Sequence, residues 1–443
     1  MILLINAKTT KPSEVQTKYF REPNLGILYL AAILDKQNYP VDILDLEQYY
    51  NLDEKELEEQ ILTTVSNYDI IGITTLTNTF YSAINIAKLI KKSYENKFLI
   101  LGGPHASFQY HEILNMYPVI DFICVGEAED SFLELVSSLI SFEHSQMDRN
   151  ALEHQLVKIK GLAFKNLEGN IIFTGFPQPI KLETIPLPAR YLLTQENFYY
   201  RVANIIINRG CPYQCSFCSR QNLFKTVRIR TIQSIQAEIQ DILSFQTYHY
   251  INFYDNININ HQFFEQFCRM FTENQITIPW GCELRVDSIT LHDAALLKEA
   301  GCQLIATGIE SASLEVLEQN LKYQNPKRVK EGIEHLKSVG IPVQLYFVFG
   351  LPGETRKTIK ETITFIKTLP LTKEDSLNYF AATPYPGSRL WEEQDKYRIK
   401  IREHDFSRYD CQHIIFETDQ LDFNSLKELY SSTQKIELIF KNL

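Results

Sequence analysis

The chain has 443 residues, with 44 Lys and Arg against 54 Asp and Glu, a formal net charge of −10. At about 150 residues per domain, this length predicts three units or two large ones, and a hydrophobic content of 44% supplies a core that needs no staples. The acidic balance argues against sequence-independent nucleic-acid binding, which needs a basic stripe, and no run of about 18 apolar residues marks a membrane span.

The start, MILLINAKTTKPSE, has no charged leader before its short apolar run and reads as a strand, so no signal peptide is expected and a cytoplasmic location is. ILLIN at 2–6 is the first predicted strand. Leu25, Leu28, Tyr29, Ala32 and Ile33 then repeat at helical spacing. VDILDL at 41–46, DIIGITTLT at 69–77, KFLILGG at 97–103 and DFICVGE at 121–127 are further strands, with helical patterns between and after them. Alternating helices and wholly apolar strands predict a doubly wound parallel sheet over 1–140. Ligands bind such sheets at the carboxyl ends of their strands. Residues 141–198 break the rhythm with a hairpin signal around Glu168-Gly169-Asn170 and the Pro-rich stretch PQPIKLETIPLPAR, read as a linker.

A second alternation fills 199–390. ANIIINRG, YINFYDN, PWGCELRVD, CQLIATGIES, IPVQLYFVFGLPGE and SLNYFAATPYPG are strands separated by helices, one of them begun at Thr231. Six β/α units predict a partial barrel rather than the eight-unit form. The tail, 391–443, is loop-rich and ends in a helix.

Eight cysteines in such a chain are expected as thiols, metal ligands or core residues. Five are scattered: Cys124, Cys268, Cys282, Cys302 and Cys411. Cys211, Cys215 and Cys218 instead share the loop NRGCPYQCSFCSR, just after the first strand of the second alternation. Thiolates so spaced can converge on one metal centre. Three are one short of the four that complete a structural zinc site or enclose a 4Fe–4S cluster. A three-ligand cluster leaves one iron open to a substrate or cofactor. A zinc site completed by a distant His or Cys is the alternative, although no second CxxC or HxxxH pair lies nearby.

CxxxCxxC after the first strand of a six-unit barrel resembles the radical S-adenosylmethionine (SAM) superfamily over roughly residues 200–390. The resemblance implies that Cys211, Cys215 and Cys218 hold a 4Fe–4S cluster whose fourth iron is chelated by SAM. One-electron cleavage then gives methionine and a 5′-deoxyadenosyl radical that abstracts hydrogen from a substrate. Phe217 resembles the family residue near the adenine. Glu310 and Ser311, at the end of the fourth barrel strand, suit the ribose hydroxyls or amino group of SAM. Glu283 and Arg285 are expected on one face of the third strand, with Arg285 suited to the SAM carboxylate or to an ion pair with Glu283. Asp255 ends the second strand, where it either positions SAM or caps a helix. FGLPGET and TPYPGS give turns at the barrel mouth.

In the first domain no GxGxxG or GxxxxGK[ST] follows a strand, which disfavours a dinucleotide or a P-loop nucleotide. Its order of motifs resembles the cobalamin-binding domain of cobalamin-dependent radical SAM enzymes: PNLGILYLAAILDKQNYPVDILDL, GITTLTNTF, LILGGPHAS and DFICVGEAEDSFLEL. The resemblance implies that Thr75, Leu76, Thr77, Gly102, Gly103, His105, Gly126 and Glu127 surround cobalamin, with residues 75–77 near the lower face of the corrin. The Asp-x-His-x-x-Gly string whose His ligates cobalt in many such domains is absent. His105 is expected either to reach the cofactor tail or to satisfy a loop hydrogen bond.

The expectation is therefore a Rossmann-like cobalamin domain, a linker, a partial TIM-like radical SAM barrel and a short helical tail. The implied activity is cobalamin-dependent methylation of an unactivated carbon in a small molecule or peptide, with a flavodoxin or ferredoxin as electron donor. Cyclisation or rearrangement, with or without cobalamin, is the rival within enzymes. A non-catalytic iron–sulfur or zinc binding module is the rival outside them.

Overall fold

Five short apolar runs build the first parallel ladder: β1 (Ile2–Asn6), β2 (Val41–Asp45), β3 (Ile70–Thr74), β4 (Phe98–Gly102) and β5 (Phe122–Cys124). The computed structural model describes residues 1–8, 22–145, 147–193 and 200–440, with backbone alone described at Asp255 and over 433–440. It divides into two units, Met1–Tyr199 with Leu223–Thr226, and Tyr200–Asn222 with Val227–Leu443.

In the first unit the strands are crossed over by α1 (Leu25–Lys36), α2 (Glu54–Val65), α3 (Phe80–Ser93) and α4 (Pro104–Met116), and β5 leads into α5 (Glu129–His144) and α6 (Arg149–Leu156). Local chemistry sets their starts. Asn24 caps α1 by accepting from the N–H groups of Gly26 and Ile27, and Asp53 and Glu56 close a capping box on α2. One sheet face, with Ile2, Leu4, Ile70 and Ile100, packs against Ile27, Ala31, Phe132 and Leu135 of α1 and α5. The alternate side chains Leu3, Ile5, Ile71, Ile73, Leu99 and Leu101 are buried on the other face.

The strand order is β2-β1-β3-β4-β5-β6-β7, where β6 (Leu162–Lys165) and β7 (Ile171–Phe173) are antiparallel additions. The hairpin expected in a linker thus belongs to the first sheet, because Leu162 and Phe164 complete its apolar face. The order reverses between β1 and β3, which places the ligand crevice at their carboxyl ends.

The second unit holds six parallel strands in the order β15-β14-β13-β12-β11-β8, open at both edges. They are β8 (Val202–Ile206), β11 (Tyr250–Asn256), β12 (Trp280–Glu283), β13 (Cys302–Glu310), β14 (Val343–Phe349) and β15 (Ser376–Ala381). A minor antiparallel pair, β9 (Asn208–Arg209) and β10 (Arg228–Ile229), and the one-turn α7 (Arg220–Leu223) fall between the first two. The crossovers are α8 (Ile232–Ser244), α9 (His261–Glu273), α10 (Leu291–Glu299), α11 (Leu314–Gln319) with α12 (Pro326–Ser338), and α13 (Arg356–Ile366).

Strand β14 shows how this sheet differs from a filled barrel. Val343, Leu345, Phe347 and Phe349 are buried on one face, whereas Gln344, Tyr346 and Val348 on the other are only half-buried. The second face carries polar and aromatic groups, with Asn378 and Phe380 of β15 beside them. Behind the sheet, Phe253, Phe267, Phe271 and Trp280 form one aromatic stack, and the Trp280 indole N–H donates to Ala300 O at 2.8 Å.

The tail is more ordered than expected: α14 (Arg389–Glu392), α15 (Gln394–Tyr397), an antiparallel pair of β16 (Ile399–Ile401) and β17 (Phe416–Thr418), and α16 (Phe423–Phe440). Leu390, Tyr397, Tyr409 and Phe416 pack with Val316, Leu351 and Ala382 of the barrel. Cys124, Cys268, Cys282 and Cys302 are buried in the cores of their units. No helix among the described residues is long and apolar enough to cross a membrane.

Candidate functional site

In the second unit the loop Cys211–Cys218 begins after Gly210, whose φ of 83° turns the chain out of β9. Cys211 and Cys215 are half-buried and Cys218 is exposed. The Cys218 N–H donates to Cys215 O at 3.1 Å, a tight turn that brings the last two thiols to one side. Burial pushes the Cys215 thiol up to about 11, with both Cys218 and Cys211 adding to the push. Three thiols on one loop can supply the donors of an iron–sulfur cluster that keeps one iron open. Among the described residues no three His, Cys, Asp or Glu side chains are grouped closely enough to hold a single metal ion.

What holds this loop is not a cysteine. Ser216 is fully buried. Its N–H donates to Asn320 O at 2.9 Å and its hydroxyl to Asn320 Oδ1 at 2.8 Å. The Asn320 amide then donates to Pro352 O and Val316 O, both at 2.8 Å. From the tail, the Leu390 N–H donates to Ser216 O at 3.0 Å. Phe217 packs against the apolar cluster of Leu351, Leu390 and Tyr409. The loop is therefore shaped by the barrel and the tail before any metal arrives.

The other expected residues divide. Glu310 ends β13 with its Oε1 2.9 Å from Lys322 Nζ. Ser311 is fully buried, its Oγ 3.2 Å from Thr362 Oγ1 of α13, and it also accepts from the Ser313 N–H. Its hydroxyl is committed to the helix layer. Glu283 is the last residue of β12, half-buried, but Arg285 is not on that strand. The chain leaves the ladder because Asn258 accepts from the Arg285 N–H and donates to its carbonyl, and a short 3₁₀ turn follows. The guanidinium pairs not with Glu283 but with Asp287, at 3.1 and 2.7 Å, donates to Tyr323 O at 2.6 Å and lies 4.2 Å from the Tyr213 ring centre. The Asp255 side chain lies outside the described residues.

Two further groups close the same end of the barrel. Cys411, at φ 61°, has its Sγ 3.1 Å from the Tyr385 hydroxyl. Glu354 is 1% exposed; its Oε2 accepts from Gly350 N–H at 2.5 Å, and its Oε1 finds no partner among the described residues. Burial raises its carboxyl from 4.5 to about 8, against the pull of the Gly350 and Leu351 N–H groups. A folded-state value above the unfolded one means that the stability this proton provides is complete below about pH 4.5 and is lost as pH rises toward 8. Glu354→Gln, which mimics the neutral acid, is expected to melt like wild type near pH 4.5 and to exceed it at pH 8.5 by roughly 2–5 kcal/mol. Parallel melting curves at both pH values would show that the wild-type group is already charged.

In the first unit the loops after β3, β4 and β5 are laced together. The Thr75 hydroxyl donates to Gly102 O at 2.8 Å and accepts from the Ala106 N–H at 3.1 Å. The Ser107 hydroxyl donates to Gly103 O at 2.8 Å and accepts from Gly126 N–H at 2.9 Å. Thr75 and Thr77 are thus buried ties, while Leu76 between them stands 49% exposed. His105 is 1% exposed, with Nδ1 3.3 Å from Thr77 Oγ1 and its ring 4.4 Å from Phe80, which answers to the loop hydrogen bond of its two expected roles. Burial lowers its imidazole to about 3, so it is neutral at pH 7.

Gly103 sits at φ 93°, and a Cβ there would stand 2.6 Å from Thr75 O; at Gly102 a Cβ would meet nothing within 4 Å. Gly126, at φ 83°, is nearly as open, and Glu127 beside it is half-buried. The result is open space at the end of β4, with an exposed, apolar Leu76 in the loop after β3. Its character fits the flat apolar face of a corrin.

The comparisons with known proteins fall on these two sites. Residues 15–136 match the B12 binding domain model and residues 205–366 match the Radical SAM superfamily model. An uncharacterized methyltransferase of Pyrococcus horikoshii is 31% identical over 383 residues, covering 84% of this chain and 78% of that one. The anaerobic magnesium-protoporphyrin IX monomethyl ester cyclase of Rubrivivax gelatinosus is 28% identical over 426 residues, covering 93% and 73%. Among solved structures, the radical SAM methyltransferase TsrM from Kitasatospora setae, with cobalamin and a [4Fe-4S] cluster bound, superposes with a TM-score of 0.71 at 16% identity, over 91% of this chain and 81% of that one.

Proposed function

The chain belongs to the radical SAM superfamily, among members with an amino-terminal B12-binding domain, and from that premise we propose that it is a cobalamin-dependent methyltransferase acting on an unactivated carbon. When bound, the cluster with SAM supplies a 5′-deoxyadenosyl radical and cobalamin supplies a methyl group. Cys211, Cys215 and Cys218 would hold the cluster through three thiolates and leave one iron to SAM. Phe217, Glu283, Arg285, Glu310 and Ser311 border the SAM site, the last through backbone, since its hydroxyl is engaged by Thr362 and Ser313. Leu76, Gly102, Gly103, Gly126 and Glu127 border the corrin, held in place by Thr75 and Thr77, with neutral His105 behind them. The half-buried polar and aromatic face of the barrel sheet would orient a small molecule or peptide and exclude water around a radical.

One observation carries the methyl-transfer reading. A three-thiol loop after the first barrel strand, and strand-end loops with open space at Gly102 and an exposed Leu76, occur in one chain. The electron donor is a small flavodoxin- or ferredoxin-type protein and the setting is the cytoplasm.

The test uses anaerobically reconstituted protein with SAM, cobalamin and strong reductant. Wild type is expected to form both 5′-deoxyadenosine and S-adenosylhomocysteine. Gly102→Val places a branched side chain in space where a Cβ meets nothing within 4 Å, so the protein should fold normally. It is expected to bind cobalamin about tenfold more weakly or worse, to keep its cluster and 5′-deoxyadenosine, and to lose S-adenosylhomocysteine. Similarity to the cyclase favours a second reading, ring formation without net methyl transfer. Wild type that binds cobalamin yet never forms S-adenosylhomocysteine would decide for it.

A further inference from the structure

The loop after α11 brings a charge to the cysteines that no motif announces. Leu321, at φ 55°, reverses the chain, and Lys322 follows. Lys322 Nζ lies 2.9 Å from Glu310 Oε1, with the two side chains 11% and 8% exposed. An ion pair this deep is not a solvated surface contact. Glu310 is itself in the left-handed region at φ 63°, a costly backbone state for a residue with a side chain. That turn folds its carboxylate back over Gly308, where a Cβ would stand 2.2 Å from Glu310 Oε1 and 3.2 Å from Lys322 Nζ. The strain at 310 and the missing side chain at 308 both serve to seat the pair.

The pair sits beside the cysteine loop: Asn320, two residues before Lys322, accepts from the Ser216 N–H at 2.9 Å and from the Ser216 hydroxyl at 2.8 Å, between Cys215 and Cys218. The neighbouring cation, Arg285, is already matched by the Asp287 carboxylate at 2.7 Å.

We propose that Lys322, seated by Glu310, is a positioning residue that sets the reduction potential of the cluster. This rests on the reading that Cys211, Cys215 and Cys218 hold that cluster. Reduction takes one electron from the external flavodoxin- or ferredoxin-type donor; no bond forms or breaks, and the site gains one negative charge. Net charge beside a cluster is one of the quantities that fix its potential. A buried cation beside the cysteine loop lowers the cost of that added charge and brings the cluster within reach of its donor.

The test compares wild type, Lys322→Met, Lys322→Arg and Glu310→Gln after anaerobic reconstitution, by iron and sulfide content and by redox titration followed with electron paramagnetic resonance. Lys322→Met is expected to shift the midpoint to more negative potential by about tenfold in the reduced fraction at fixed poise, about 59 mV for one electron. Lys322→Arg should restore most of the shift, and Glu310→Gln should move the midpoint the opposite way. Lys322→Met with full cluster and an unchanged midpoint overturns the proposal. If Lys322→Met takes up no cluster, Glu310→Gln decides: a midpoint that stays put or falls overturns it equally. Wild type that takes up no cluster at all brings down the cysteine reading itself, and this proposal with it.

Discussion

Cys215→Ala is expected to abolish cluster assembly and SAM cleavage while leaving the fold intact. On the proposed assignment Cys215 is the middle ligand of the three. With two thiolates left, the loop has no means of retaining a cluster with one open iron, and a neighbouring hydroxyl is too hard a ligand to substitute. Ser216, not the thiol, fixes the backbone through Asn320 and Leu390. The metal-free variant should accordingly melt within about 1 kcal/mol of metal-free wild type. Iron analysis and the iron–sulfur absorbance should fall to background, and so should 5′-deoxyadenosine. Cobalamin uptake by the first unit should continue and report that the protein is folded. Retained iron with retained SAM cleavage would remove Cys215 from the site. Stoichiometric zinc in wild type, with no cleavage under strong reductant, would revive the structural zinc site.

Asn320→Leu is expected to cost the metal-free protein about 2–5 kcal/mol. Asn320 is fully buried and joins the cysteine loop, α11 and the turn after β14. A leucine of similar size fills the space but leaves the Pro352 carbonyl and the Ser216 hydroxyl buried without partners, at about 1–3 kcal/mol each. Ser216→Ala leaves only Asn320 Oδ1 without its donor and should cost less, about 1–3 kcal/mol, because the backbone hydrogen bond from Ser216 N–H to Asn320 O at 2.9 Å survives. The double variant should be less destabilised than the sum, since one of the two orphaned groups is then absent. Chemical denaturation of the metal-free proteins measures all three. A change below about 0.5 kcal/mol in Asn320→Leu would show that water satisfies these groups.

The α/β architecture is legible because strands buried on both faces leave runs such as ILLIN and DIIGIT that few other structures explain. The barrel strands are legible for the same reason, and the cysteine loop because thiols in that spacing have few structural uses. The errors are instructive. Arg285 reads as strand because GCELRVD keeps alternating after the ladder has ended; what ends it is Asn258, a partner 27 residues away. Thr75 and Thr77 read as neighbours of the corrin face because a threonine after a strand does not reveal whether the next loop needs it as a tie. The hairpin at 162–173 reads as lying outside the first domain because edge pairing with β5 is a tertiary fact. Asn320 and Lys322 leave no local signal at all, since the partner of Asn320 lies 104 residues away and that of Lys322 depends on a strained turn at Glu310.

The fastening of Ser216 to Asn320 and Leu390 has a consequence for biosynthesis. While the ribosome has delivered only the first barrel strands, the three cysteines are already present but nothing gives their loop its shape. They spend that interval as exposed thiols open to oxidation. Contacts this distant along the chain form late, and the last of them needs the tail. On the proposed assignment, iron–sulfur delivery is expected to act on a nearly finished polypeptide rather than on a nascent one. Stalled or truncated chains would compete for oxidants, not for iron.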